Sequence, residues 1–196
     1  MKKPLHGIIC FETEWLHNNE DNRFNLQTSA LLNFLKDFYG CDVIHKSILT
    51  KADLQYYIEY FSKGKYLDND IIYFAAHGCP GHICLEGEKD GSQLLSLKHL
   101  AEMANGSFGN AIIHFSSCET FKDHKEILEF KKITKAAVVS GYTKKVDAVK
   151  STIADLALLN YYMNIDKKVG IVKNRDKSSF WQTYKNLLEE LGFETA

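Results

Sequence analysis

Short apolar runs alternating with segments of helical periodicity constrain this chain more than any other feature. Gly7 to Phe11, Asp42 to Ile44, Ile71 to Ala76, Ala111 to Ser116 and Ala136 to Ser140 are each too short for a buried helix and suit strands covered on both faces. Between them, Ser29–Tyr39 places Leu31, Leu32, Leu35 and Phe38 at helical spacing and ends at Gly40. A second helix follows Thr50 and carries Leu54, Tyr57, Ile58 and Phe61 on one face. Further helices are expected after Ser96, over about 121–132, over about 148–163, and after Ser178 or Ser179. Residues 168–173 are ambiguous and lean to helix. Strands alternating with helices predict a three-layer α/β/α domain with a doubly wound, mainly parallel sheet, and 196 residues suit one such domain.

Composition removes several function classes. The net charge of −1, with both signs spread along the chain, gives no case for nucleic acid or an anionic membrane as partner. No apolar run approaches the roughly 20 residues of a membrane span. The apolar stretch after Met1-Lys2-Lys3-Pro4 ends by Phe11, too short for a signal-peptide core. Five scattered cysteines, Cys10, Cys41, Cys79, Cys84 and Cys118, fit reduced thiols in a cytoplasmic protein better than a disulfide framework.

Two of the apolar runs end in reactive side chains. His77 closes one and is followed by Gly78; Cys118 closes the next within the polar stretch Ser116-Ser117-Cys118-Glu119-Thr120. In α/β sheets the ligand crevice lies beyond the carboxyl ends of the strands. A cysteine and a histidine there suffice for nucleophilic acyl transfer. Gly78 permits close backbone approach, and the Gly78 and Cys118 amides are candidate oxyanion donors. Cys10 and Cys41 read as packing residues. Cys79, His82 and Cys84 offer metal donors near His77, but their spacing matches no CxxC-type site, so no metal or other cofactor is expected.

The segments Phe74-Ala75-Ala76-His77-Gly78 and Ile112-Ile113-His114-Phe115-Ser116-Ser117-Cys118-Glu119-Thr120 resemble the two catalytic motifs of caspase-like cysteine peptidases, in particular the bacterial CHAT domains. Between them, Gly81 to Leu85, Asp90-Gly91 and Leu95 to Leu100 resemble the family's hairpin and following helix. The likeness covers about residues 70–163. It implies a caspase-like fold, His77 as general acid/base, Cys118 as nucleophile and a protein or peptide substrate, in a setting of bacterial signalling or defence. The chain departs from the eukaryotic branch by lacking Gln-Ala-Cys-Xaa-Gly, and Ser117 stands where a smaller residue is usual. It also lacks the helical-repeat arm that often accompanies the domain, so regulation falls to a separate protein or to the domain itself.

Glu12 and Glu14, on the rim after the first strand, and Asp147, after the fifth, suggest a substrate subsite for Lys or Arg. Their structural readings are a solvated loop for the glutamates and a helix N-cap for Asp147. Two rival functions stand beside the peptidase: a catalytically silent binding module using the same crevice, and a flavodoxin-like nucleotide binder. The latter lacks a Gly-rich loop after the first strand, where Phe11-Glu12-Thr13-Glu14-Trp15 is found instead.

Overall fold

The computed structural model describes residues 6–13, 28–85, 93–165 and 177–196. Nine strands and six helices run in the order β1 (Ile8–Thr13), α1 (Ser29–Tyr39), β2 (Val43–Ile48), α2 (Lys51–Phe61), β3 (Ile71–Ala75), β4 (Gly78–Cys79), β5 (His82–Cys84), β6 (Leu94–Ser96), α3 (Leu97–Ala104), β7 (Ile112–Ser116), α4 (His124–Thr134), β8 (Val138–Tyr142), α5 (Ala148–Met163), α6 (Ser179–Leu191) and β9 (Phe193–Thr195). The main sheet has the order β2-β1-β3-β7-β8-β9, parallel except for the last strand. Winding proceeds from β1 outward to β2 and then reverses through β3, so the switch point lies between β1 and β3.

Alternation along the strands explains the layers. Ile9, Phe11, Ile72, Phe74, Ile113 and Phe115 face a core closed by α2, α3 and α4. Their neighbours Ile8, Cys10, Ile71, Tyr73 and Ile112 face the other core, closed by α1, α5 and α6. The fold is therefore the expected three-layer α/β/α sandwich. The helices begin where the sequence offers caps. Thr50 and Asp53 form a reciprocal capping box on α2, while Ser96, Asp123, Asp147 and Ser178 accept backbone N–H groups of the first turns of α3, α4, α5 and α6.

Several boundaries differ from the sequence reading. β2 extends to Ile48 because it pairs with β1 along its whole length, through His45, Lys46 and Ser47 that carry no apolar signal. β8 lies two residues later than the apolar run suggests, since its register is fixed by Ile112↔Val138. α4 starts at His124, where Asp123 caps it, not at 121. Residues 82–84 belong to a small antiparallel sheet, β4-β5-β6. The expected turns at Gly87 and Asp90-Gly91, and the ambiguous stretch 168–173, lie outside the described residues. β9 was not foreseen; it turns back from α6 at Gly192, which has φ +66°, and pairs Phe193 with Tyr142. Among the described residues, no helix is long and apolar enough to cross a membrane.

Candidate active site

β3 and β7 are adjacent and parallel, with Ala75 opposite Ser116. His77 and Cys118 each follow those paired residues by two positions, so the register brings both to the same rim, next to the switch point. Both are half-buried. Both line one cavity of about 210 Å³, together with Thr28 and Leu31 from the start of α1 and Val146, Ala148, Ser151 and Thr152 from the start of α5. The Val146 N–H donates to Cys118 Sγ at 3.5 Å and fixes its orientation. The next residue, Glu119, has φ +54°, an uncommon conformation for a residue with a side chain. Its N–H donates to Lys144 O (3.0 Å) and its carboxylate pairs with Lys122 Nζ (2.9 Å), so the chain leaves Cys118 in a sharp, tethered turn.

Gly78 lies against this turn. A Cβ there would meet Thr120 Oγ1 at 2.4 Å, Cys118 O at 2.7 Å and Ser117 Cβ at 2.9 Å, so only glycine fits without displacing the segment that carries Cys118. Gly78 pairs with Ile83, while the Cys84 N–H donates to His77 O (2.8 Å). Hydrogen bonding alternates along an antiparallel strand, which turns the Gly78 N–H away from β5. Ser117 is buried: its hydroxyl meets Thr120 Oγ1 (2.7 Å), which in turn donates to His82 O (3.1 Å). A hydrogen bond to Thr120 thus accommodates a serine where the resemblance leads one to expect a smaller residue.

Beneath the cavity lies a buried polar network that the sequence reading missed. Asp155 of α5 is 1% exposed. Its carboxylate accepts from Tyr73 OH (2.7 Å), Ser116 Oγ (2.5 Å), Tyr142 OH and His114 Nε2 (2.7 Å). Four donors use the full acceptor capacity of an ionised carboxylate. Burial by itself disfavours the charge, yet the His114 ring and the Ser116 and Tyr142 hydroxyl groups outweigh it and hold Asp155 below its ordinary value. Burial, reinforced by the Asp155 charge, pushes Tyr73 and Tyr142 well up, so both remain neutral donors. Tyr73 and Ser116 also line the cavity. Both hydroxyl groups are thereby committed to Asp155. The signals in the sequence were a histidine inside the apolar run 112–115 and an acid on the core-facing stripe of α5, between Ser151 and Leu158-Leu159.

Of the expected carboxylate subsite, the placement of Glu12 is corrected. Glu12 is neither a solvated loop residue nor a rim group; it has no exposed surface. Its carboxylate accepts the Thr28 N–H (3.2 Å) and hydroxyl and meets His45 Nε2 at 2.7 Å. β1 is simply longer than expected, and position 12 points inward under Thr28. Asp147 is exposed and is the N-cap of α5, accepting the Lys150 N–H at 2.9 Å, so its carboxylate is engaged at the helix end rather than in the cavity. Glu14 lies outside the described residues.

The fold and site define an α/β protein whose cavity, at the carboxyl ends of adjacent parallel strands, presents a thiol and an imidazole. Within that class the chain belongs to DUF6642, a family of unknown function, whose model matches residues 6–195. No curated protein matches it.

Proposed function

We propose that the chain is a caspase-like cysteine endopeptidase acting on a protein or peptide, with His77 and Cys118 as its catalytic pair. One observation carries this reading: the β3–β7 register delivers both side chains to a single cavity at the sheet's carboxyl edge. In the proposed reaction His77 takes the proton of the Cys118 thiol as Sγ attacks the scissile carbonyl, then delivers that proton to the departing amine as the C–N bond breaks, leaving a thioester. The Gly78 and Cys118 N–H groups stabilise the oxyanion. Water, deprotonated by His77, then attacks the thioester; the acid is released and the thiol restored.

The cavity also supports a revised substrate preference. Apart from His77 and Cys118 its lining is apolar or hydroxyl-bearing. The Asp155 carboxylate, bonded to the lining residues Tyr73 and Ser116, places negative charge beneath the cavity and supports a cationic side chain such as Lys or Arg. The Lys or Arg preference thus rests on Asp155 rather than on Glu12, Glu14 or Asp147.

The test is cleavage of a diverse peptide library, and of a cell lysate read by N-terminal mass spectrometry, comparing wild type with Cys118→Ala and His77→Ala. Cleavage lost in both variants supports the reading. Cleavage that persists in Cys118→Ala refutes it. Wild-type protein that captures peptides in the crevice without cutting them points to the silent binding module.

A further inference from the structure

A second cluster of reactive side chains lies on the same face of the sheet, at the β1–β2 edge. Cys10 and Glu12 are two residues apart on β1 and so share a face, and His45 of β2 is the register partner of Cys10. Their Sγ, carboxylate oxygen and imidazole nitrogen all lie within 4.8 Å of one another. Thr28 adds a fourth atom: Oγ1 is 3.7 Å from Cys10 Sγ and 3.3 Å from His45 Nε2, and it donates to Glu12.

We propose that Cys10, Glu12 and His45 form a zinc site, with the Thr28 hydroxyl or a water as fourth ligand. The donor set is the first argument. One sulfur, one imidazole and one carboxylate suit a borderline cation of tetrahedral preference, whereas magnesium and calcium take oxygen almost exclusively. Distance is the second. Zinc bonds of about 2.0–2.3 Å place tetrahedral ligand atoms roughly 3.3–3.8 Å apart. The cluster reaches that arrangement if the 2.7 Å contact between His45 and Glu12 and the short Thr28–Glu12 contact open, and the wider separations of up to 4.8 Å close, each by about an ångström, which the partly exposed His45 side chain assists.

Charge balance is the third argument. The Glu12 carboxylate already accepts from Thr28 and meets His45, and a metal would take over part of that role. A dication held by the Glu12 carboxylate and the Cys10 thiolate makes a neutral assembly in the apolar interior. Binding exchanges the Cys10 S–H bond for a Zn–S bond and releases that proton to solvent. Thr28 also lines the cavity that holds His77 and Cys118. The metal therefore ties the first turn of α1 to the sheet beside the candidate active site, independently of whether that site cuts peptides.

The experiment titrates the metal-depleted full chain with Co²⁺ as spectroscopic probe, then with Zn²⁺. The expected result is one equivalent of tetrahedral Co²⁺ with a near-ultraviolet thiolate-to-cobalt band, displaced by zinc. The band disappears in Cys10→Ala and His45→Ala but persists in Cys118→Ala and in Cys79→Ala/Cys84→Ala. Circular dichroism confirms that each variant is folded. No cobalt band in wild type overturns the proposal, as does a band that survives Cys10→Ala or is lost with Cys118→Ala.

Discussion

Replacing Asp155 by alanine removes the acceptor for four donors at once, and the structure sets the scale of the loss. Ser116 and Tyr73 border the cavity and can turn toward water. Tyr142 and His114 have no exposed surface and cannot. Each buried donor stranded without a partner costs about 1–3 kcal/mol. With Tyr142 and His114 both stranded, Asp155→Ala is expected to lose about 4 kcal/mol, a large share of the roughly 5–15 kcal/mol that stabilises a typical domain. At this chain length that loss lowers Tm by about 8–16 °C. Asp155→Asn keeps the shape, yet its amide nitrogen faces groups that also donate, so at least half of the loss is expected to remain. Urea unfolding followed by circular dichroism and tyrosine fluorescence measures both variants. A loss below about 1 kcal/mol for Asp155→Ala would refute the claim that this carboxylate is ionised and fourfold bonded.

Three further outcomes follow from the same geometry. Asp155 has a folded-state pKa below its ordinary value of 3.8, so its stabilisation holds above that value and fades as pH falls below it. Tyr73 and Tyr142 are raised above 10.0, so their contribution holds below pH 10 and fades as pH rises beyond it. Unfolding free energy against pH should therefore drop on both limbs, and Tyr73→Phe or Tyr142→Phe should flatten the alkaline one; an unchanged alkaline limb would contradict this. Gly78→Ala should cost about 1–3 kcal/mol through overpacking and slow iodoacetamide labelling of Cys118 at unchanged circular dichroism; unaltered labelling would show that the contact at Thr120 and Cys118 is slack. In wild type, peptide mass spectrometry should find Cys118 alkylated well before the buried Cys10 and Cys41, and His77→Ala should slow only the former; equal rates for all three would remove the case for a preformed nucleophile.

The main layers and the pair at the strand ends were legible because both are local signals. An apolar run of strand length followed by a polar residue can be read without knowing what lies beside it, and His77 and Cys118 are marked in that way. Glu12 was misread because burial at a strand end depends on whether another element covers it, and here the first turn of α1 does so through Thr28. Asp155 and β9 depend still more on distant partners. Asp155 meets three strands only after α5 crosses the sheet, and β9, three residues long, is a strand only because β8 leaves an edge to pair with.

Register is what organises the polar residues. At one level across the sheet stand His45, Cys10, Tyr73, His114 and Ser140; one step nearer the carboxyl edge stand Glu12, Ala75 and Ser116. These side chains occupy the α1–α5–α6 face, while the opposite face is packed with Ile9, Phe11, Ile72, Phe74, Ile113 and Phe115. In the sequence each polar residue is an isolated exception within an apolar run, easily read as a satisfied core group. Aligned by the sheet they become two polar groups on one face, one at the β1–β2 edge with metal-binding donors and one under the His77–Cys118 cavity. Alanine at position 75 leaves no polar atom between Glu12 and Ser116 in the outer row. In the inner row the two clusters touch, since Cys10 is the register partner of Tyr73, so that perturbing Cys10 should reach the Asp155 network through Tyr73.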